Sequence, residues 1–134
     1  MSTATYPAGF KRLQGGGTAV EVVTKTASFT LTREDSGRVF ILGAADLVAS
    51  LPPTEAGLTY TFILAAAGLS AGTGFEASPV AADAINGNGL TSTDNEDLTL
   101  TGATDREGDF VSLVADGLDG WYITGISGIW AKTT

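Results

Sequence analysis

From Val20 onward the chain runs as short apolar stretches, many of them alternating with polar positions, broken every few residues by turn formers. VEVVT, ASFTLT and RVFILG are rich in β-branched or aromatic residues, and EDSG at 34–37 supplies a bend between two of them. In RVFILG both Val39 with Ile41 and Phe40 with Leu42 are apolar, which predicts a strand covered on both faces in the centre of a sheet. Pro52 and Pro53 stop any regular element, and Glu55, Ala56 and Gly57 turn the chain into LTYTFIL. There Leu58, Tyr60, Phe62 and Leu64 fall on one face, with Thr59, Thr61 and Ile63 on the other; the flanking Thr, Tyr and Ile favour strand over the helix that AAA alone would support.

Residues 65–97 read as the least regular part, with Gly, Ser and Asn recurring and INGNGL as a tight turn between two short strands. A long irregular segment in a small domain is a candidate contact region. LTLTGA, DFVSLVAD and WYITGI follow as three more strands. The pattern predicts an all-β chain of about eight to ten short strands, folded as an antiparallel β-sandwich, jelly roll or small barrel.

The N-terminal stretch breaks this pattern. Residues 1–17 hold Tyr6, Pro7, Phe10, Lys11 and Arg12 and end in Gly15, Gly16 and Gly17, a triplet with no backbone preference. An arm and hinge over 1–17 and a single β domain over 18–134 are expected. Two readings of the arm stay open: a frayed terminus, or a segment that orders on a partner with Tyr6 and Phe10 as anchors.

Composition narrows the chemistry. At 134 residues with 43% hydrophobic and 16% charged residues, the chain has enough apolar material for one core and is not a disordered linker. It has no Cys and no His, which removes disulfides, zinc-thiolate and iron–sulfur sites, thiol nucleophiles, Ser-His-Asp chemistry and the commonest metal ligand. A net charge of −8 is the wrong sign for neutralising phosphates, so nucleic acid is not an expected partner. The longest weakly polar run, LTYTFILAAAGLSAG, falls short of the ~18 apolar residues that a membrane helix needs, and the N-terminus lacks the basic-then-apolar order of a signal peptide. The expectation is a soluble, unexported protein.

Carboxylates offer the remaining chemistry. Asp94, Glu96 and Asp97 form one cluster, Asp105, Glu107 and Asp109 a second, and Asp116 with Asp119 flanks the loop DGLDG. Acids at alternate positions suit calcium, but none of the three follows EF-hand spacing, and Asp and Asn are equally the residues of turns. A paired-carboxylate glycosidase would need a sugar cleft that a β domain of this size offers little wall for. DGLDG reads best as the bend of a closing hairpin, with Phe110, Leu113, Val114 and Trp121 filling the interior. No cofactor or metal is assigned. Of the late aromatics, Trp121, Tyr122 and Trp130, the last follows the final clear strand and is the candidate for a contact role, against the plainer reading of a core Trp.

REDSGRVFILG, SLPPTEAGLTYTFIL and GDFVSLVADGLDGWYITG, in this order across about residues 27–128, resemble a β-rich module of tailed-bacteriophage virion proteins. The module is similar to that of capsid decoration, or cement, proteins. The resemblance implies a non-enzymatic structural protein on the capsid exterior, commonly a homotrimer, that clamps neighbouring copies of the major capsid protein. Similar modules in tail and fibre proteins imply the alternative of a host glycan or receptor binder. The resemblance carries no catalytic residues. Tyr6, Pro7, Phe10, Lys11 and Arg12 of the arm, together with Trp130, are the expected partner-binding residues.

Overall fold

A computed structural model describes residues 19–69, 72–101 and 105–133. These form two sheets packed face to face, an all-β sandwich. The strands are β1 (Val22–Lys25), β2 (Phe29–Thr30), β3 (Val39–Leu42), β4 (Val48–Ser50), β5 (Thr59–Leu64), β6 (Phe75–Ser78), β7 (Ala84–Asn86), β8 (Asp97–Leu100), β9 (Phe110–Ala115), β10 (Gly120–Ser127) and β11 (Trp130–Thr133). One sheet has six strands in the order β1-β3-β5-β9-β10-β7, and the other five in the order β11-β8-β6-β4-β2.

The expected all-β sandwich forms, but its sheets are mixed, with parallel pairs where the short strands suggested antiparallel ones. From β1 to β6 the chain alternates between the sheets, and each pass lies parallel to the one before it. Val22 pairs Val39, and Val39 pairs Thr61, in one sheet; Phe29 pairs Ala49, and Ala49 pairs Ala77, in the other. Parallel neighbours need a crossover, and here the crossover is a strand of the opposite sheet, so the first half is a short β-coil. The ladder runs past the strand ends, where the Leu31 N–H donates to the Ser50 carbonyl at 2.9 Å and the Leu51 N–H to the Ser78 carbonyl at 2.8 Å. Only β8 to β11 add antiparallel pairs, and β7 returns to parallel pairing with β10. Strand pattern alone does not distinguish the two wirings, because side-chain alternation is the same in both.

The core is an aromatic row between the sheets. Phe29 stacks on Phe40 at 5.4 Å, Phe40 on Phe62 at 5.8 Å, Phe62 meets Phe75 at 5.2 Å, and Phe75 meets Trp130 edge-on at 6.2 Å. Leu58, Tyr60, Phe62 and Leu64 all point inward, as their alternation predicts. Three expectations are corrected. Val39 and Ile41 on β3 are half-buried rather than covered, although β3 does lie inside its sheet. Residues 65–97 are not an irregular loop: they contribute β6, β7 and the buried Phe75, Ala77 and Ile85. INGNGL ends β7 in a turn with Asn88 and Gly89 at positive φ, but β7 pairs β10, so it joins no hairpin.

The closing hairpin forms as expected. Asp116 Oδ1 accepts hydrogen bonds from the Leu118, Asp119 and Gly120 N–H groups at 2.8 Å, 3.0 Å and 3.0 Å. Gly120 has a φ of +147°, and a Cβ there would lie 2.1 Å from the Ala84 carbonyl oxygen, so β7 and β10 can approach only because the position is glycine. Of the residues expected to fill the interior, Leu113 and Trp121 do so, whereas Phe110 and Val114 face outward.

Candidate functional site

The outward face of the six-stranded sheet follows from its register. Thr24, Ile41, Ile63, Phe110 and Ser127 form one row across the strands. Val22, Val39, Thr61, Ser112 and Gly125 form the next, and Thr59, Val114 and Tyr122 a third. None of these residues is charged, although the chain carries 22 charged side chains and a net charge of −8. Half of the face is large and apolar; Val22 is 59% exposed and Tyr122 45%, while Val39, Ile41, Ile63, Phe110 and Val114 are half-buried by their neighbours.

The polar positions on this face are hydroxyls, and those near its middle bond to one another or to the backbone. Thr61 Oγ1 lies 2.8 Å from Ser112 Oγ across the β5–β9 pair, and the Thr124 hydroxyl donates to the Ser112 carbonyl at 3.2 Å. Phe110 leans over Gly125, where a Cβ would meet its ring at 3.3 Å. The result is a broad surface that loses little on desolvation, since it exposes no charge and the Thr61 and Ser112 hydroxyls at its middle are already paired.

A second feature lies where the coil leaves the five-stranded sheet. Leu31, Leu51 and Leu58, all buried, floor an apolar groove of about 780 Å³ completed by Pro52, Pro53 and Val80. Its rim carries the Arg33–Glu55 ion pair at 2.9 Å, with Glu34 beside it. Arg38 pairs with Glu21 at 3.0 Å and with Asp35. Beneath this corner the Tyr60 hydroxyl donates to the Thr32 carbonyl at 2.6 Å. Burial, then the charges of Asp35, Glu34 and Glu55, push the Tyr60 phenol up to about 12. The Thr54 hydroxyl donates to the Gly120 carbonyl at 2.7 Å and accepts from the Gly117 N–H at 2.9 Å, tying the groove wall to the closing hairpin.

Several residues of the acidic clusters hold the local backbone or a neighbouring side chain. Asp105 and Asp109 are buried and accept from the Gly68 and Arg106 N–H groups, at 2.8 Å and 2.9 Å, while Glu107 is exposed. Glu96 accepts from the Thr91 hydroxyl at 2.8 Å and lies 3.9 Å from Lys132, whose amine donates to the Thr91 carbonyl at 3.0 Å. Burial lowers the Lys132 pKa, against the opposing pull of Glu96 and Asp97. Among the described residues no group of three or more Asp or Glu is placed to hold a metal ion.

Trp130 is corrected from a contact residue to a core residue. It is 6% exposed, packs edge-on against Phe75, and its indole N–H donates to the Ser127 carbonyl at 2.8 Å. The chain after WYITGI forms a further strand rather than a free tail, which draws the indole inward. Tyr6, Pro7, Phe10, Lys11 and Arg12 lie outside the described residues. The outward residues Ile41, Ile63, Phe110, Val114 and Tyr122 were not among the expected contacts, yet the signal was available: TYTFIL and FVSLVA place no charge at any outward position.

Comparison with protein-family models finds none that matches the chain, and comparison with curated proteins finds no match either.

Proposed function

We propose that this protein is a non-enzymatic structural module of a phage virion that seats on the outer surface of the capsid and braces neighbouring capsid subunits. The single observation that carries the reading is the uncharged outward face of the six-stranded sheet in a chain of net charge −8. A strongly acidic protein is held off other acidic surfaces, and a face without charge is where it can bury area against another protein. The two-sheet frame with its aromatic core behind this face supports the same reading, because a brace needs a well-packed body under the lattice it holds. Assembly as a homotrimer would repeat the contact and let modest individual affinities add.

Co-sedimentation with purified capsids and a heat challenge of the complex test this. Binding that raises the capsid disruption temperature is the expected result, and failure to bind heads refutes it. A second reading, a tail or fibre module for a host glycan, is favoured by the exposed Tyr122, which shares a row of the face with Thr59 across Val114. Glycan-array binding lost in Tyr122→Ala, without capsid binding, would select it.

A further inference from the structure

We propose that β1 is a self-pairing edge: in solution two copies of this chain join their six-stranded sheets through an antiparallel β1–β1 contact about a two-fold axis, in the register that sets Glu21 opposite Lys25. This goes beyond the reading of the sheet face and does not rest on it. The trimer considered above belongs to the capsid-bound state, and this contact to the free protein.

The ladder to β3 decides which groups of β1 are free. The Val39 N–H donates to the Glu21 carbonyl at 3.0 Å and the Gly43 N–H to the Lys25 carbonyl at 2.8 Å. Successive residues of a strand turn their N–H and C=O groups to opposite sides, so Glu21, Val23 and Lys25 bond toward β3, while Val22 and Thr24 aim theirs out of the sheet. Among the described residues no strand lies beyond β1 in its sheet. Such a row of unused donors and acceptors is a template for another strand. Of the other edges, β2 runs for two residues and β7 for three, whereas β1 runs for four with neither a proline nor a bulge.

The side chains choose the partner. The stretch reads Val20, Glu21, Val22, Val23, Thr24, Lys25, Thr26. Laid antiparallel on itself with Val23 at the axis, it sets Val22 opposite Thr24 and Glu21 opposite Lys25, each twice. Val22 and Thr24 are then the hydrogen-bonded pairs, which uses the groups that point outward. The neighbouring registers, with the axis at Val22 or at Thr24, would set Lys25 against Ala19 or Val23 instead. Directly opposed unlike charges favour a strand pair and like charges oppose it, so the first register is selected.

Both charges are available. The Lys25 amine lies over the Phe29 ring, 5.2 Å from its centre, and has no ion pair among the described residues. The Glu21 side chain bonds Arg38 yet stays 61% exposed, free to take a second cation. Lys25 faces the inner side of the sheet, and an inward charge on an edge discourages pairing with an arbitrary strand. Opposite Glu21 that charge is matched, so the same residue refuses other strands and accepts this one. A chain of net charge −8 repels its copy, and this contact lies where the charges sum to zero. Across the axis the uncharged rows that end in Val22 and Thr24 would continue into those of the second copy, and a two-fold contact of this kind closes as a dimer.

Sedimentation equilibrium of the full-length protein over a concentration series, without capsid, should show monomer passing to dimer. Glu21→Lys alone and Lys25→Glu alone each place like charges opposite one another and should weaken the dimer roughly tenfold or more. Mixing the two variants should restore association as a heterodimer, because each substituted position then faces its opposite charge. Val22→Pro removes a donor that points out of the sheet and spares the bonds to β3, so it should abolish the dimer with the urea midpoint held near that of the parent. A monomer at every concentration, or a trimer, would overturn the proposal. So would a dimer indifferent to the two charge substitutions or to Val22→Pro, or a mixture no more associated than its components. Capsid binding is read separately, so failure here leaves the proposed function standing.

Discussion

The outward faces of the two sheets share a backbone geometry and carry opposite surfaces. On the six-stranded sheet, Val22, Val39, Ile41, Ile63, Phe110, Val114 and Tyr122 alternate with hydroxyls and no charge. On the five-stranded sheet the outward positions are Thr30, Ser50 and Ser78, then Val48, Glu76, Thr99 and Ala131, then Asp97 and Thr133. There Glu76 has its pKa raised by burial first and by the charges of Asp97 and Asp46 after it. One face brings like charges together at some cost to itself; the other is free of charge and inexpensive to desolvate. A net charge of −8 is therefore unevenly spread, and the uneven spread is what turns a stable sandwich into a surface with a direction.

The comparison breaks most completely if the frame behind both faces is lost. Phe62 lies at the middle of the aromatic row, in contact with Phe29, Phe40 and Phe75, and Phe62→Ala should cost about 3–5 kcal/mol. Urea denaturation should show this as a fall in midpoint with both faces affected alike. Next in size is an effect on one face only. Thr61→Glu with Ser112→Glu places two carboxylates opposite each other in the middle of the uncharged surface, where they replace a hydroxyl pair. Partner binding should fall by roughly a hundredfold, about 2.7 kcal/mol, in a capsid-binding titration. The matching pair on the other face, Glu76→Gln with Asp97→Asn, should leave that titration unchanged; a loss there would show that the acidic face makes the contact.

The smallest effect sharpens the contrast through pH. A carboxyl whose folded pKa is raised contributes stability in acid and loses it as pH rises through the folded value. Glu76→Gln alone should therefore match the parent below the ordinary carboxylate range and exceed it slightly near neutral pH, as measured by melting temperature across a pH series. Asp116 has the opposite sign: the Gly120 and Leu118 N–H groups lower its pKa, so its contribution is present near neutral pH and lost in acid. Asp116→Asn should flatten the acid side of the same curve.

Much of the fold was legible because period-two alternation marks which residues meet the core. Leu58, Tyr60, Phe62 and Leu64 were readable as one inward face, and DGLDG as a hairpin bend with Asp116 bonding the turn. The wiring was not legible. A parallel coil and an antiparallel meander present the same alternation along each strand, and only the partner strand distinguishes them. Trp130 shows a related limit: an indole near the end of a chain reads as exposed until the strand that carries it, Trp130–Thr133, is seen pairing with β8. The uncharged sheet face was present in the outward letters of TYTFIL and FVSLVA, but five strands had to be set side by side before separate positions became one surface.

The parallel coil also fixes how the molecule would carry a mechanical load. β1 is the edge of one sheet and β11 the edge of the other, and since β2 sits over β1 and β3 the two lie at opposite ends of the stack. Tension applied between them runs across the strands, so the ladders would open one rung after another instead of shearing together. Compression or sliding in the plane of a sheet meets every rung at once. A body built this way is weak as a tether and strong as a wedge.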